Sequence, residues 1–209
     1  MNLKKLVRKN IWDLIPYSSA RSEYKNISGV LLDANENSLG SVLENGLNRY
    51  PDPYQEQLKS EISQQKKINP NKIFIGNGSD EAIDLLLRAF CEPGQDKIVV
   101  FPPTYGVYTV FAQTNNIEVS SVAQFPEFTL DVTTYKNKLS ANVKMTFICD
   151  PSNPSGNCFS DDEIESILKA SHSIVVIDEA YIDFASRESW ISKLDKYPNL
   201  VVLQTLSKA

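Results

Sequence analysis

The chain has 209 residues, 42% of them hydrophobic and 22% charged, a composition that suits a globular domain with a substantial core. Its net charge of -5 and pI near 5.0, without a basic stripe or an arginine-rich run, argue against a general binder of nucleic acid or anionic membrane. No transmembrane span is readable, and Asp13 and Pro16 follow the basic opening Met1–Lys9 before a signal-peptide core can form, so the sequence reads as cytoplasmic.

Residues 1–30 scatter Trp12, Tyr17 and Tyr24 among polar side chains with no sustained period, and read as an arm that packs on something else. Leu31–Asn37 reads as a short strand running into Asx-type turn residues. In Asn48-Arg-Tyr50-Pro-Asp-Pro53 each proline fixes its own backbone and biases the preceding residue toward extended geometry, which predicts a rigid turn. A helix is expected from about Tyr54 to Gln65, with Leu58 and Ile62 on its apolar face. From Lys72 the pattern becomes regular. Strand Ile73–Ile75 leads into Gly76-Asn-Gly78-Ser79-Asp80-Glu81 and then a helix Ala82–Phe90, apolar on nearly every side and so expected to be buried. Glycines ahead of such a helix leave free backbone N–H groups at a positive dipole end, suited to a phosphate.

Cys91–Gly94 ends that helix, and the alternation continues. Strand Ile98–Phe101, the turn Pro102-Pro-Thr-Tyr105, a helix to about Asn115, strand Ile117–Val122 and strand Val143–Cys149 follow, the last running into Asp150-Pro-Ser-Asn153-Pro-Ser-Gly156. Ser160-Asp-Asp-Glu163 is a capping box that opens a helix to Ala170. Strands alternating with helices predict an α/β fold with right-handed crossovers and a mostly parallel sheet.

The chemistry concentrates in the last forty residues or so. Ile174-Val-Val-Ile177 reads as a strand buried on both faces, with Asp178 emerging at its carboxyl end, where open α/β sheets place their ligands. A second strand, Leu200–Leu203, is followed by Thr205-Leu-Ser207-Lys208, which brings an amine near that carboxylate. The pair suits pyridoxal phosphate: the lysine bonds the aldehyde, and the acid keeps the ring nitrogen protonated. A strand-end Asp-Glu also describes the Mg²⁺-holding acid of a P-loop ATPase, but the chain has no G-x-x-x-x-G-K-[ST] to cradle phosphates. Gly76-x-Gly78 after a strand belongs to the nicotinamide-enzyme fingerprint too. There Glu81 occupies the third glycine position, and Phe101 stands where a ribose-binding acid ends the next strand. A non-catalytic α/β binding module would not gather polar sets at several strand ends, as this chain does.

Cys91, Cys149 and Cys158 are odd in number and lack metal-ligand spacing, so thiols in a reducing compartment and no metal are expected. His172 is the only histidine and sits between a helix and a strand, so it reads as a surface residue and catalysis must use other groups.

Seven segments in order, L-D-A-N-E-N at 32–37, N-R-Y-P-D-P at 48–53, G-N-G-S-D-E-A-I-D at 76–84, P-P-T-Y-G-V-Y at 102–108, N-P-S-G at 153–156, V-I-D-E-A-Y-I-D-F at 176–184 and T-L-S-K-A at 205–209, carry a resemblance over almost the whole chain. It resembles the aminotransferases of the pyridoxal-phosphate fold-type I superfamily, and more closely the histidinol-phosphate aminotransferases. The resemblance implies a three-layer α/β sandwich with a mostly parallel sheet, the cofactor pyridoxal 5'-phosphate, and transamination between L-histidinol phosphate and 2-oxoglutarate in histidine biosynthesis. An aromatic amino-acid aminotransferase is the alternative.

By position, the resemblance makes Lys208 the covalent anchor and proton carrier and Asp178 the partner of the ring nitrogen. Tyr105 would stack on the ring, while Asn153 and Tyr181 would hydrogen-bond its phenolic oxygen. Ser79 and Asp80 would give backbone N–H groups to the phosphate, helped by the hydroxyls of Thr205 and Ser207. Tyr17 and Asn35 would touch substrate, and Tyr50 would reach the neighbouring subunit's phosphate site in a homodimer. The loop at 150–156 departs from the commoner Asn-Pro-Asn-Asn-Pro-Thr-Gly, which implies tuning only. Members of the family continue past the lysine, through a phosphate-gripping arginine and a small domain whose arginine binds the substrate carboxylate. The expectation is therefore an arm at 1–30, an incomplete cofactor domain at 31–209, and an inactive fragment that binds cofactor weakly.

Overall fold

The computed structural model describes residues 2–18, 30, 32–43 and 46–208. The chain divides into two compact units, one of residues 1–12 with 76–209 and the other of residues 13–75.

The larger unit is built on a five-stranded, wholly parallel sheet of β1 (Lys97–Val100), β2 (Glu118–Ser121), β3 (Val143–Cys149), β4 (Ile174–Asp178) and β5 (Leu200–Leu203), in the spatial order β2-β1-β3-β4-β5. Its helices are α1 (Lys9–Trp12), α3 (Gly78–Phe90), α4 (Val107–Thr114), α5 (Val132–Lys138) and α6 (Asp161–Ala170), while α2 (Glu56–Lys66) belongs to the smaller unit.

Alternation along the strands sorts the core into two clusters, one on each side of the sheet. Ile98, Val100, Phe147 and Val176 pack with Ile83 and Leu87 of α3 and Tyr108 and Ala112 of α4. Val99, Ile148, Val175 and Ile177 pack with Tyr135 of α5, Ile164 and Ile167 of α6, and Trp190. All five residues of β4 are buried, as its unbroken apolar run requires of a central parallel strand. The capping box at α6 is present in full, with Ser160 accepting from the Glu163 N–H and the Glu163 carboxylate accepting from the Ser160 N–H.

Four expectations need correction. Residues 73–75 form no strand; Ile73 is extended, but among the described residues no neighbour offers a ladder, and Phe74 is 62% exposed. Residues 32–37 form no strand either, and Leu31 and Tyr24 lie outside the described residues. The helix after Gly76 starts earlier than predicted, at Gly78, and is not buried all round. Ile83 and Leu87 face the sheet, while Leu85 is 43% exposed and Asp84 pairs with Arg88 at 2.9 Å on the outer side. Helix α5 was not expected, because Val132–Lys138 offers few apolar positions; its start is fixed by Asp131, whose side chain accepts from the Thr134 N–H. The expected helix at 54–65 is present as α2, without a buried residue.

The opening residues pack as an arm on α3: the Arg8 N–H donates to the Ala89 carbonyl at 2.9 Å, and the Arg8 guanidinium meets Glu92 at 3.0 Å. In the smaller unit the 32–37 and 48–53 motifs are joined. Glu36 accepts from Arg49 and from the Tyr50 N–H, each at 2.8 Å, and the Asn48 side chain donates to the Asn37 carbonyl at 2.8 Å.

Candidate active site

The carboxyl ends of β3, β4 and β5 lie side by side, Cys149 opposite Asp178 and Asp178 opposite Leu203. The next residue after each strand therefore enters the same edge of the sheet. Asp178 keeps the parity of Val176 and turns toward the α3 and α4 side, where it is 2% exposed. Its Oδ2 accepts from Tyr108 Oη at 2.6 Å and its Oδ1 from the Ala180 N–H at 3.1 Å. Burial raises the pKa of Asp178, and the Tyr108 hydroxyl and the Ala180 N–H pull against that rise. Tyr108 is itself buried, stacked on Phe147 with ring centroids 4.7 Å apart, and burial followed by the charge of Asp178 pushes its phenol well above the usual range. Tyr108 is thus held as a neutral donor.

Tyr105, ahead of α4, meets Tyr108 edge-on at 5.6 Å and its hydroxyl approaches Asp80 Oδ1 at 3.4 Å. Burial and the Asp80 carboxylate raise its pKa, with smaller contributions from Asp178 and Tyr181. Ser79 and Asp80 occupy the first turn of α3, where backbone N–H groups have no partner within the helix. Gly78 begins the helix at φ +73°, a conformation that side chains resist, and a Cβ there would meet nothing within 4 Å. Lys208 Nζ lies 5.9 Å from the centroid of the Tyr181 ring, and Thr205 Oγ1 pairs with Ser207 Oγ at 2.8 Å.

Asn153 sits half-buried in the loop after β3. That loop is pinned at its root: Asp150, fully buried, accepts from the Phe159 N–H at 3.0 Å and from Arg187 Nη1 at 2.7 Å. Burial pushes the Asp150 carboxyl up to about 6, against the pull of Arg187. Gly156 at φ +75° closes the turn, its N–H donating to the Ser152 carbonyl at 2.8 Å.

Of the residues singled out in sequence, the structure thus brings Asp80, Tyr105, Asp178, Tyr181 and Lys208 into one neighbourhood, with Ser79, Asn153, Thr205 and Ser207 on the segments that frame it. Tyr17, Asn35 and Tyr50 belong to the 13–75 unit, where all three are exposed. Two residues inside the quoted motifs, Tyr108 and Glu179, had been given no role. The signal for Tyr108 was its place in the first turn of the helix that follows Tyr105.

Residues 22–209 match the family of aminotransferases class I and II, and the chain belongs to that family. Among individual relatives, it is 50% identical over 208 residues to the histidinol-phosphate aminotransferase of Cytophaga hutchinsonii, and 50% identical over 210 residues to that of Christiangramia forsetii. Both alignments take in 100% of this chain, which spans 60% and 59% of those proteins' lengths. The fold is similar to the crystal structure of histidinol-phosphate aminotransferase from Clostridium acetobutylicum, with a TM-score of 0.67 at 24% identity over 77% of this chain and 48% of that one. It is also similar to cystalysin from Treponema denticola, whose structure contains a pyridoxal 5'-phosphate cofactor, with a TM-score of 0.66 at 19% identity over 77% of this chain and 45% of that one.

Proposed function

We propose that the protein carrying this chain is a pyridoxal 5'-phosphate enzyme that transfers the amino group of L-histidinol phosphate to 2-oxoglutarate, a step of histidine biosynthesis. The names of relatives at 50% identity support the substrate. The observation that carries the cofactor is Asp178: a carboxylate 2% exposed whose hydrogen-bond donors, Tyr108 and the Ala180 N–H, are both neutral. A buried carboxylate in that state lacks a counter-charge, and a protonated ring nitrogen supplies one. The open N-terminus of α3 fits the phosphate in the same way.

When bound, the cofactor supplies an electron sink for charge developing on the substrate carbon. Asp178 would hold the proton on the ring nitrogen, and Tyr108 fixes that carboxylate. Tyr105 would stack on the ring, and Asn153 and Tyr181 would donate hydrogen bonds to its phenolic oxygen. The backbone of Ser79 and Asp80, with the hydroxyls of Thr205 and Ser207, takes the phosphate. Lys208 would be the covalent anchor, and its amine, when free, would take and return a proton at the substrate carbon. One residue then serves as anchor and base, so no histidine is needed.

Tyr17 and Asn35 contact the substrate in this reading, and Tyr50 of the partner subunit reaches the phosphate of a homodimeric enzyme. The exposed apolar side chains of Ile15, Leu32, Leu39, Val42 and Leu47 support an interface formed by the 13–75 unit. Cytoplasmic location is supported by the cysteines, all three of them free thiols. Among the described residues no helix is long and apolar enough to cross a membrane.

The test is a competition of amino donors in the full-length protein with 2-oxoglutarate as acceptor. A kcat/KM for histidinol phosphate at least a hundredfold above that for phenylalanine is expected; equal values would replace this reading by a broad aromatic aminotransferase.

A further inference from the structure

Two carboxylates stand in tandem at the end of β4, and the site described above uses only the first. Glu179 follows the parity of Val175 and Ile177 and so turns to the opposite side of the sheet, where it is 1% exposed. Among the described residues it forms no ion pair within 4 Å. Instead its Oε1 accepts from the Trp190 N–H at 2.7 Å, and its Oε2 accepts from the Ser189 hydroxyl and from Gln204 Nε2 at 2.8 Å. Its own N–H donates to the Leu203 carbonyl at 2.8 Å. Burial raises the pKa of this group while the three donors oppose the rise.

We propose that Glu179 is a positioning residue for Lys208: it grips Gln204, the first residue after β5, and so fixes the direction in which the Thr205–Lys208 segment leaves the sheet. The donor arithmetic points past a simple turn support. With Oε1 taken by the Trp190 N–H, the bonds to Ser189 and Gln204 both depend on Oε2, and a glutamine, with a single acceptor oxygen, would have to give up one prong. The third donor comes from the other segment: Gln204 shares Oε2 with the Ser189 hydroxyl, and its Nε2 also donates to Ser189 Oγ at 3.1 Å. Only a carboxylate offers acceptors on both prongs. Three residues separate Gln204 from Lys208, two of them the hydroxyl pair Thr205 and Ser207, so a swing at Gln204 is carried to the amine. The backbone bond from Glu179 to Leu203 sets the strand, and the side chain sets what comes after it.

This inference rests on the reading of Lys208 as the residue that bonds the cofactor, and the experiment separates the two. In the full-length protein, borohydride reduction and peptide mapping first establish whether the wild type carries the cofactor on Lys208; a label elsewhere sinks that reading and this one with it. With the label on Lys208, Glu179→Gln is compared with wild type by amide hydrogen exchange across residues 203–208 and by kcat and KM. Exchange at 205–208 is expected to rise at least tenfold and kcat to fall at least tenfold, with KM for the amino donor within about threefold. The exchanged pair, Glu179→Gln with Gln204→Glu, restores one donor facing one acceptor and is expected to recover both readouts to within about threefold. Should Glu179→Gln fail to fold, Gln204→Leu leaves the Ser189 and Trp190 contacts intact and is expected to loosen 205–208 to the same degree. Wild-type exchange and kcat in either single variant, or a fall in thermal stability alone, would make Glu179 a support of the 189–190 turn and overturn the proposal.

Discussion

Replacing Arg187 by methionine removes the cation that faces a fully buried carboxylate while keeping an unbranched side chain against Trp190, whose ring centre lies 5.7 Å from the guanidinium carbon. In the native protein Asp150 titrates at about 6 instead of 3.8, because burial outweighs Arg187 and the Phe159 N–H. A carboxyl whose folded pKa is raised binds protons more tightly when folded, so stability is lost as pH rises from 3.8 through about 6. That gap is worth about 3 kcal/mol, fully lost above pH 7. Without Arg187 the folded pKa rises further, the window widens, and the charge left at neutral pH is unpaired, a situation that costs about 3 to 5 kcal/mol. Thermal unfolding of the full-length protein at pH 8 and pH 5 reads this directly. The variant should melt at least about 6 °C below wild type at pH 8, taking about 2 °C per kcal/mol. Most of the deficit should vanish at pH 5, where Asp150 protonates, and adding Asp150→Asn should restore much of it at pH 8. An equal deficit at both pH values, or none, would show that the Asp150 charge is not what Arg187 neutralises, and the account of the 150–156 loop would fall.

Three further outcomes follow from the same geometry. Ser160→Ala breaks the capping box of α6 and should destabilise by about 1 kcal/mol, measured by calorimetry, with no change in kcat. Gly78→Ala meets no atom but forces a side chain to φ +73°, which should cost about 1 to 2 kcal/mol and weaken cofactor binding measured by fluorescence quenching; unchanged affinity would separate the start of α3 from the phosphate. Asp178→Asn should leave the cofactor bound and lower kcat by at least a hundredfold with little change in KM, since an amide cannot keep a ring nitrogen protonated; near-normal kcat would reduce Asp178 to a structural strand-end acid.

Most of the larger unit was legible because its central strands β1, β3 and β4 are short, mostly apolar and almost wholly buried, the pattern that periodicity reads most directly. Val143–Cys149 and Leu200–Leu203 occur with the bounds the sequence implies, and β4 runs one residue past the expected Ile174–Ile177 to take in Asp178. Where the reading failed, the deciding information was not local. Ile73–Ile75 has strand composition, but a strand exists only with a neighbour to bond, and none pairs with it among the described residues. Helix α5 has little apolar content and is fixed instead by its Asp131 cap and by Tyr135 reaching Thr146 of β3 at 3.1 Å. The candidate site was legible wherever a residue falls at a strand end or inside a family motif. The partners that hold those residues were not, because Tyr108 is 70 positions from Asp178 and Arg187 is 37 from Asp150. Such contacts are set by strand order, which the alternation of elements alone does not determine.

The central claim, that Asp178 and Lys208 form the two ends of one cofactor site, is tested most directly by mapping the covalent bond. The full-length protein is loaded with pyridoxal 5'-phosphate, reduced with borohydride and digested, and the labelled peptide is identified by mass spectrometry. The account predicts one label per chain, on Lys208, with the visible absorbance of the unreduced protein shifted in Asp178→Asn. Label spread over surface lysines, or a single label on any lysine but Lys208, would contradict it.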